Sequence, residues 1–204
     1  MTSYRKDGNF EKPAKTGNGI AMLLLLIALG AVEVAGILTA RNAFVIPAVL
    51  IGVAIAFIAG GFFMLQPNEA GVLTLFGDYL GTERRAGLRW TLPWNIRKKV
   101  SVRTRNHNVE TLKVNDKRGN PVEIAAVVVW RVEDTAQALF DVDDFEQFVK
   151  VQCESGLRHV ATHYDYDEGV DHDEKQVTLR GGADSVAGAL REEVQLRVQQ
   201  AGVK

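Results

Sequence analysis

Cys153, His159 and His163 are the residues best suited by type to do chemistry, and they fall in one short segment. A cysteine attacks only as its thiolate, which needs a cationic neighbour or a helix N-terminus to form near neutral pH. The residue next to Cys153 is Glu154, and helical spacing turns the thiol toward a core, so covalent catalysis is not expected. His159 and His163 are four apart and share a helical face, and Asp165, Asp167, Asp171, His172 and Asp173 follow. Imidazole and carboxylate together can hold a divalent metal. A solvated acidic loop after a helix end explains the same pattern and is the reading adopted. No nucleophile-elbow, P-loop or dinucleotide-binding glycine pattern is present. The sequence therefore predicts no catalytic residue, no cofactor, no metal and no enzyme.

Glu33 is the other chemically unusual residue, because it lies inside an apolar run. An acidic side chain there costs about 2.5–3.5 kcal/mol and rarely faces lipid. A proton-carrying role would need a second ionisable group in the same run. Glu33 is therefore read as protonated and hydrogen-bonded, within a helical hairpin or between subunits.

The run that holds it extends from Gly19 to Leu65 and is broken once, at Thr39-Ala40-Arg41-Asn42. Two helices are expected, Gly19–Thr39 and Ala43–Leu65, each long enough at about 1.5 Å per residue to span about 30 Å of hydrocarbon. Neither shows a polar face, which disfavours a buried hairpin in a soluble core. A signal peptide would be shorter and followed by a cleavage pattern. Gly52, Ala56 and Gly60 recur at every fourth position of the second helix, a small-residue row that lets another helix approach; ordinary glycine and alanine content explains the row equally well. Arg5, Lys6, Lys12 and Lys15 precede the hairpin, whereas its loop offers only Arg41, so both ends are expected on the cytoplasmic side of the plasma membrane. Residues 1–18 are expected as a disordered basic tail against anionic headgroups.

Residues 66–204 are enough for one domain with a core. Lys plus Arg number 24 and Asp plus Glu 25, for a net charge of −1, a balance that does not suggest nucleic-acid binding. Cys153 is the sole cysteine, which excludes a disulfide framework. Gln66-Pro67-Asn68-Glu69 should end the helix, since proline cannot continue it. Strands are expected near Ala70–Phe76, Lys98–Asn106, Asn108–Val114 and Pro121–Val132. The last has apolar residues on both faces and is expected to be central and covered twice. Helices are expected over Thr135–Phe140, from about Asp144 to Thr162 behind a capping pattern at Asp143 and Glu146, and from Asp184 or Ser185 to about Ala201. Strands followed by helices make an α+β domain: an antiparallel sheet packed with helices, after a two-helix transmembrane hairpin. Trp90 and Trp94 beside Arg84, Arg85, Lys98 and Lys99 suit a belt at the membrane surface. Core aromatics with solvated charges are the alternative.

An ordered set of short motifs resembles the SPFH (stomatin/prohibitin/flotillin, band 7) family. It comprises Gln66-Pro67-Asn68-Glu69-Ala70-Gly71-Val72, Phe76-Gly77-Asp78-Tyr79, Gly87-Leu88 with Pro93, Val114-Asn115-Asp116, Gly119-Asn120-Pro121-Val122, Trp130-Arg131-Val132, and Val151 through Arg158. The resemblance covers Gln66 to Lys204. It implies a non-enzymatic membrane scaffold that forms large oligomers, organises lipid microdomains and often modulates membrane proteases or channels. Family members continue into a further strand and a long coiled coil, whereas this sequence stops at Gly202-Val203-Lys204, where that strand would begin. An adaptor of one membrane protease or channel, without a large ring, is the alternative function. The expected partners are the anionic bilayer, further copies of the chain and a membrane protein. Residues 84–118 hold 11 basic and 2 acidic side chains, and 133–174 hold 13 acidic and 2 basic. A basic face toward headgroups and an acidic face toward a neighbouring subunit would follow, unless folding intermixes the two sets.

Overall fold

The computed structural model describes residues 11–39, 45–167 and 178–204. The chain forms two compact units, Glu11–Val102 and Arg103–Lys204. Arg5, Lys6, Arg41, Asp171, His172 and Asp173 lie outside the described residues.

The first unit holds β1 (Gly17–Asn18), α1 (Gly19–Thr39), α2 (Val45–Gly60), β2 (Phe62–Leu65), β3 (Glu69–Leu75), β4 (Asp78–Glu83), β5 (Gly87–Trp90) and β6 (Ile96–Ser101). α1 has 21 residues; its most apolar 18-residue stretch has a mean hydropathy of 2.5 and is not buried in the protein, and of the whole helix only Gly19 is buried. A length of about 31 Å at 1.5 Å per residue lets it cross a bilayer. α2 has 16 residues, about 24 Å at the same rise, and is the shorter apolar helix. The expected second span, Ala43–Leu65, is too long at its C-terminal end. Gly60-Gly61 breaks the helix, and Phe62-Phe63-Met64-Leu65 becomes β2, antiparallel to β5. Short apolar runs satisfy helix and strand periodicity equally, and here the pairing strand decides.

The Gln66–Glu69 motif consequently turns one strand into the next rather than ending a helix. The Glu69 amide donates to the Gln66 carbonyl at 3.1 Å, and Asn68 has φ +60°. Proline followed by a left-handed residue is the signature of a type II turn, and Asn tolerates that conformation. Two three-stranded antiparallel sheets result, in the orders β1-β5-β2 and β4-β3-β6. Leu65, Val72 and Leu73 fill the core.

The second unit holds β7 (Arg105–Asn115), β8 (Pro121–Trp130), α3 (Thr135–Phe140), α4 (Phe145–Ala161), α5 (Ala183–Val198) and a 3₁₀ turn, Gln199–Ala201. The mixed α+β class and the antiparallel pairing match expectation, but the strands form three sheets rather than one meander. Asp134 caps α3, and Asp144 rather than Asp143 caps α4, each carboxylate accepting two backbone amides. Gly182 rather than Asp184 or Ser185 stands at the start of α5, and Gly202 ends the 3₁₀ turn in the left-handed region. Val203 then bridges antiparallel to Val132.

β8 was expected to be covered on both faces. It pairs with β7 alone among the described strands, and Val127 and Val129 are 66% and 60% exposed. Its other face packs inward through Val122 and Trp130, and Val122 sits against Val114 and Ala161. The Asp116 carboxylate ties the β7–β8 turn together by accepting from the amides of Arg118, Asn120 and Tyr166. Burial alone would raise its pKa, but these bonds and one from the Asn120 side chain hold it below the usual carboxylate value.

Candidate functional site at the base of the apolar helices

β5 is the strand on which the two apolar helices are seated. It pairs with β1, which leads into α1, and with β2, which leaves α2; both Gly17 and Phe62 lie opposite Trp90. Two glycines make this seat possible. A Cβ on Gly19 would collide with the Leu88 backbone, and one on Gly61 with the Thr91 carbonyl and the Trp90 indole. The start of α1 and the end of α2 therefore rest on positions three residues apart on one extended segment. At about 3.3 Å per residue that is roughly 10 Å, the separation of packed helices.

The end of α2 is closed by two side chains. The Trp90 indole N–H donates to the Ile58 carbonyl at 2.8 Å. The Arg97 guanidinium donates to the carbonyls of Gly60 at 2.8 Å and Phe62 at 2.9 Å and lies over the Phe63 ring. Ile58 and Gly60 lie in the last turn of α2, where carbonyls run out of intrahelical partners, whereas the Phe62 carbonyl belongs to β2; a cation also complements the negative end of the helix dipole.

Beneath the helices lies a carboxylate that the sequence reading missed. Glu83 is buried, and its two oxygens accept from the Arg85 guanidinium at 2.9 and 3.0 Å. Arg89 approaches at 3.6 Å, and the Thr16 hydroxyl donates to the same group. Burial would raise the Glu83 pKa, but the Arg85 and Thr16 bonds and the Arg89 charge together pull it down to about 2. The clue available in sequence was an acid directly before Arg84-Arg85; nothing local showed that it turns inward.

The ion pairs bear directly on the expected surface belt. Arg84 pairs with Glu11 and Arg85 with Glu83. Lys98 is exposed, and the half-exposed Lys99 lies 3.9 Å from Glu69. Trp90 is half-buried as a helix-end lock, whereas Trp94 is exposed and tilts against Phe57 of α2 at 5.2 Å. Residues 11–18, expected as disordered tail, run along β4 and β5 instead. The Ala14 amide donates to the Thr82 carbonyl at 3.0 Å, and the Thr82 amide to the Lys12 carbonyl at 2.7 Å. Gly81 permits this, since a Cβ there would come within 2.8 Å of the Lys12 carbonyl.

Within the helices, the Glu33 carboxylate reaches 3.5 Å from the position a Gly52 side chain would occupy. Gly60 faces Pro93, and Ala56 is exposed. The three small residues thus meet three different surroundings.

In the second unit Cys153 is 1% exposed, and burial, reinforced by Glu154, pushes its thiol pKa up to about 11. It is placed as a small core residue. The His159 and His163 rings lie 4.4 Å apart, tilted by 53°, and His159 Nδ1 lies 3.2 Å from Glu193. Among the described residues no group of three or more His, Cys, Asp or Glu could hold a metal. The charge segregation is partly cancelled within the chain, because Arg105 pairs with Glu146 and Arg118 with Asp165.

The chain is 32% identical over 127 residues to a protein named Protein HflK from Haemophilus influenzae. That alignment covers 58% of this chain, and the chain spans only 29% of the relative's length. Residues 63–204, from the first strand after α2 to the last residue, match the family described as SPFH domain / Band 7. With that match covering well over half of its residues, the chain belongs to the SPFH domain / Band 7 family.

Proposed function

We propose that this protein is a membrane scaffold subunit whose α1 and α2 cross the bilayer as a hairpin, with the remaining chain facing the cytoplasm. The observation that carries this is the seating of both helix ends on β5: an apolar helix that starts there is answered by another that returns there. The end of α2 would lie in the headgroup layer, where Arg97, Trp90 and Trp94 are suited to sit. The excess of cations in the N-terminal tail over the loop supports the cytoplasmic orientation. Lys98 would meet anionic headgroups directly, and Lys99, Arg84 and Arg85 as members of their carboxylate pairs.

Family membership supports assembly into large homo-oligomers that organise membrane microdomains or membrane protein complexes. Gly52 beside Glu33, with Ala56 and Gly60, would serve helix packing inside the hairpin and between copies. An adaptor or regulator of a membrane-bound protease or channel, without a large ring, is the second reading. It is favoured by the similarity to Protein HflK through the family's association with proteases.

Two measurements test these readings. Single cysteines placed in the tail and after Leu65, in a Cys153→Ala background, should both label from the cytoplasmic side only; labelling from opposite sides overturns the hairpin. Light scattering of the purified protein in mild detergent should give a large homogeneous assembly. A monomer or dimer that still copurifies with a membrane protease would favour the adaptor.

A further inference from the structure

We propose that the β3–β4 turn, led by Phe76, is a finger that dips into the lipid interface beside α2. This rests on the membrane reading above and adds a contact outside the helices.

Phe76 is 90% exposed and has φ +50°, followed by Gly77 at +97°. Turns that need a left-handed residue ordinarily use Gly or Asn; a bulky aromatic there is strained, and full exposure to water adds a hydrophobic cost. Nothing within the described chain covers the ring, so the fold gains little from phenylalanine at this position.

The strand register shows where the turn points. Thr74 pairs with Ile96 across β3 and β6, and Thr74 with Tyr79 across β3 and β4, so the turn projects from the Ile96 end of the sheet. Two residues before Ile96, Trp94 touches Phe57, less than one helical turn from the end of α2. The turn thus lies at the level where α2 leaves its apolar phase. Trp94 and Ile96 are themselves 52% and 56% exposed, extending the apolar surface of the helix toward Phe76. Lys98 and Lys99 follow along β6, about 7–10 Å farther from the turn at 3.3 Å per residue. An apolar tip ahead of cations is the order in which a segment enters a leaflet: aromatics at the acyl boundary, ammonium groups at the phosphates. The occupant that fits is an anionic bilayer, the same one that covers α1 and α2.

The test attaches an environment-sensitive nitrobenzoxadiazole probe to Phe76→Cys in a Cys153→Ala background, in the full chain reconstituted into phosphatidylcholine/phosphatidylglycerol vesicles. The same probe at Val49→Cys in α2 reports the hairpin, and at Leu196→Cys an exposed position of the second unit. The expected result at Phe76 is a blue-shifted emission, quenched by shallow spin-labelled lipid and protected from iodide, with Leu196 showing the opposite. Iodide quenching at Phe76 with lipid quenching at Val49 overturns the finger and leaves the membrane anchor standing; iodide quenching at both overturns the anchor as well. Protection from iodide without lipid quenching also overturns the finger, in favour of a protein contact. Should the cysteine variant misfold, Phe76→Trp with brominated lipid supplies the same readout: quenching beyond the wild-type level supports lipid contact, and its absence rejects it.

Discussion

The Arg97 guanidinium holds the Gly60 carbonyl at 2.8 Å, so a residue of β6 closes the helix that precedes it by more than thirty positions. This bond, with that to Phe62, joins the apolar helices to the β structure. Arg97→Ala removes charge-assisted bonds and leaves helix-end carbonyls uncapped. A loss of about 2–3 kcal/mol is expected, with Arg97→Lys intermediate because an ammonium lacks the planar fork. Thermal unfolding in detergent, with hydrogen exchange at Phe62–Leu65, measures it; unchanged protection of β2 would reject the role.

The two seating glycines predict a second pattern. Gly19→Ala and Gly61→Ala each drive a methyl into backbone or indole atoms, at a cost of about 1–3 kcal/mol. Gly30→Ala, in α1 with open space around it, is the control and should be neutral or slightly stabilising through helix propensity. Protease resistance of the reconstituted protein compares the three.

Glu83 sets an acid limit on the first unit. Its folded pKa of about 2 lies below the ordinary 4.5, so the carboxylate contributes its full stability above about pH 4.5 and loses it as pH falls toward 2. Glu83→Gln should flatten that part of the profile while lowering stability at neutral pH, because Arg85 and Arg89 lose their counter-charge. Denaturation midpoints between pH 2 and 7 read both effects; parallel profiles would exclude Glu83 as the source.

Cys153 should resist thiol reagents. Its burial and a pKa pushed up to about 11 leave almost no accessible thiolate at pH 8. Reaction with dithionitrobenzoate should be slow in the folded protein and complete after denaturation. Fast reaction of the native chain would contradict its place in the core.

The first apolar helix, the α+β class and the inward placing of Cys153 were legible in the residues. Hydropathy over Gly19–Thr39 needs no partner to be read, because the length and apolar content of a run are properties of the run itself. Asp134 as a cap and Gly202 as a stop were legible for a similar reason, since both act within a few residues of themselves.

What the sequence alone left open were choices between local structures of nearly equal energy, settled by groups distant in the chain. Phe62–Leu65 is strand rather than helix because β5 offers it hydrogen bonds and Arg97 ends α2. Residues 11–18 are ordered because Thr82 and Glu83, about 70 positions away, provide backbone and side-chain partners. Arg84 and Arg85 looked like free surface cations, yet pairing with Glu11 and Glu83 decides their surroundings, and no period or propensity encodes which carboxylate a folded chain delivers to them.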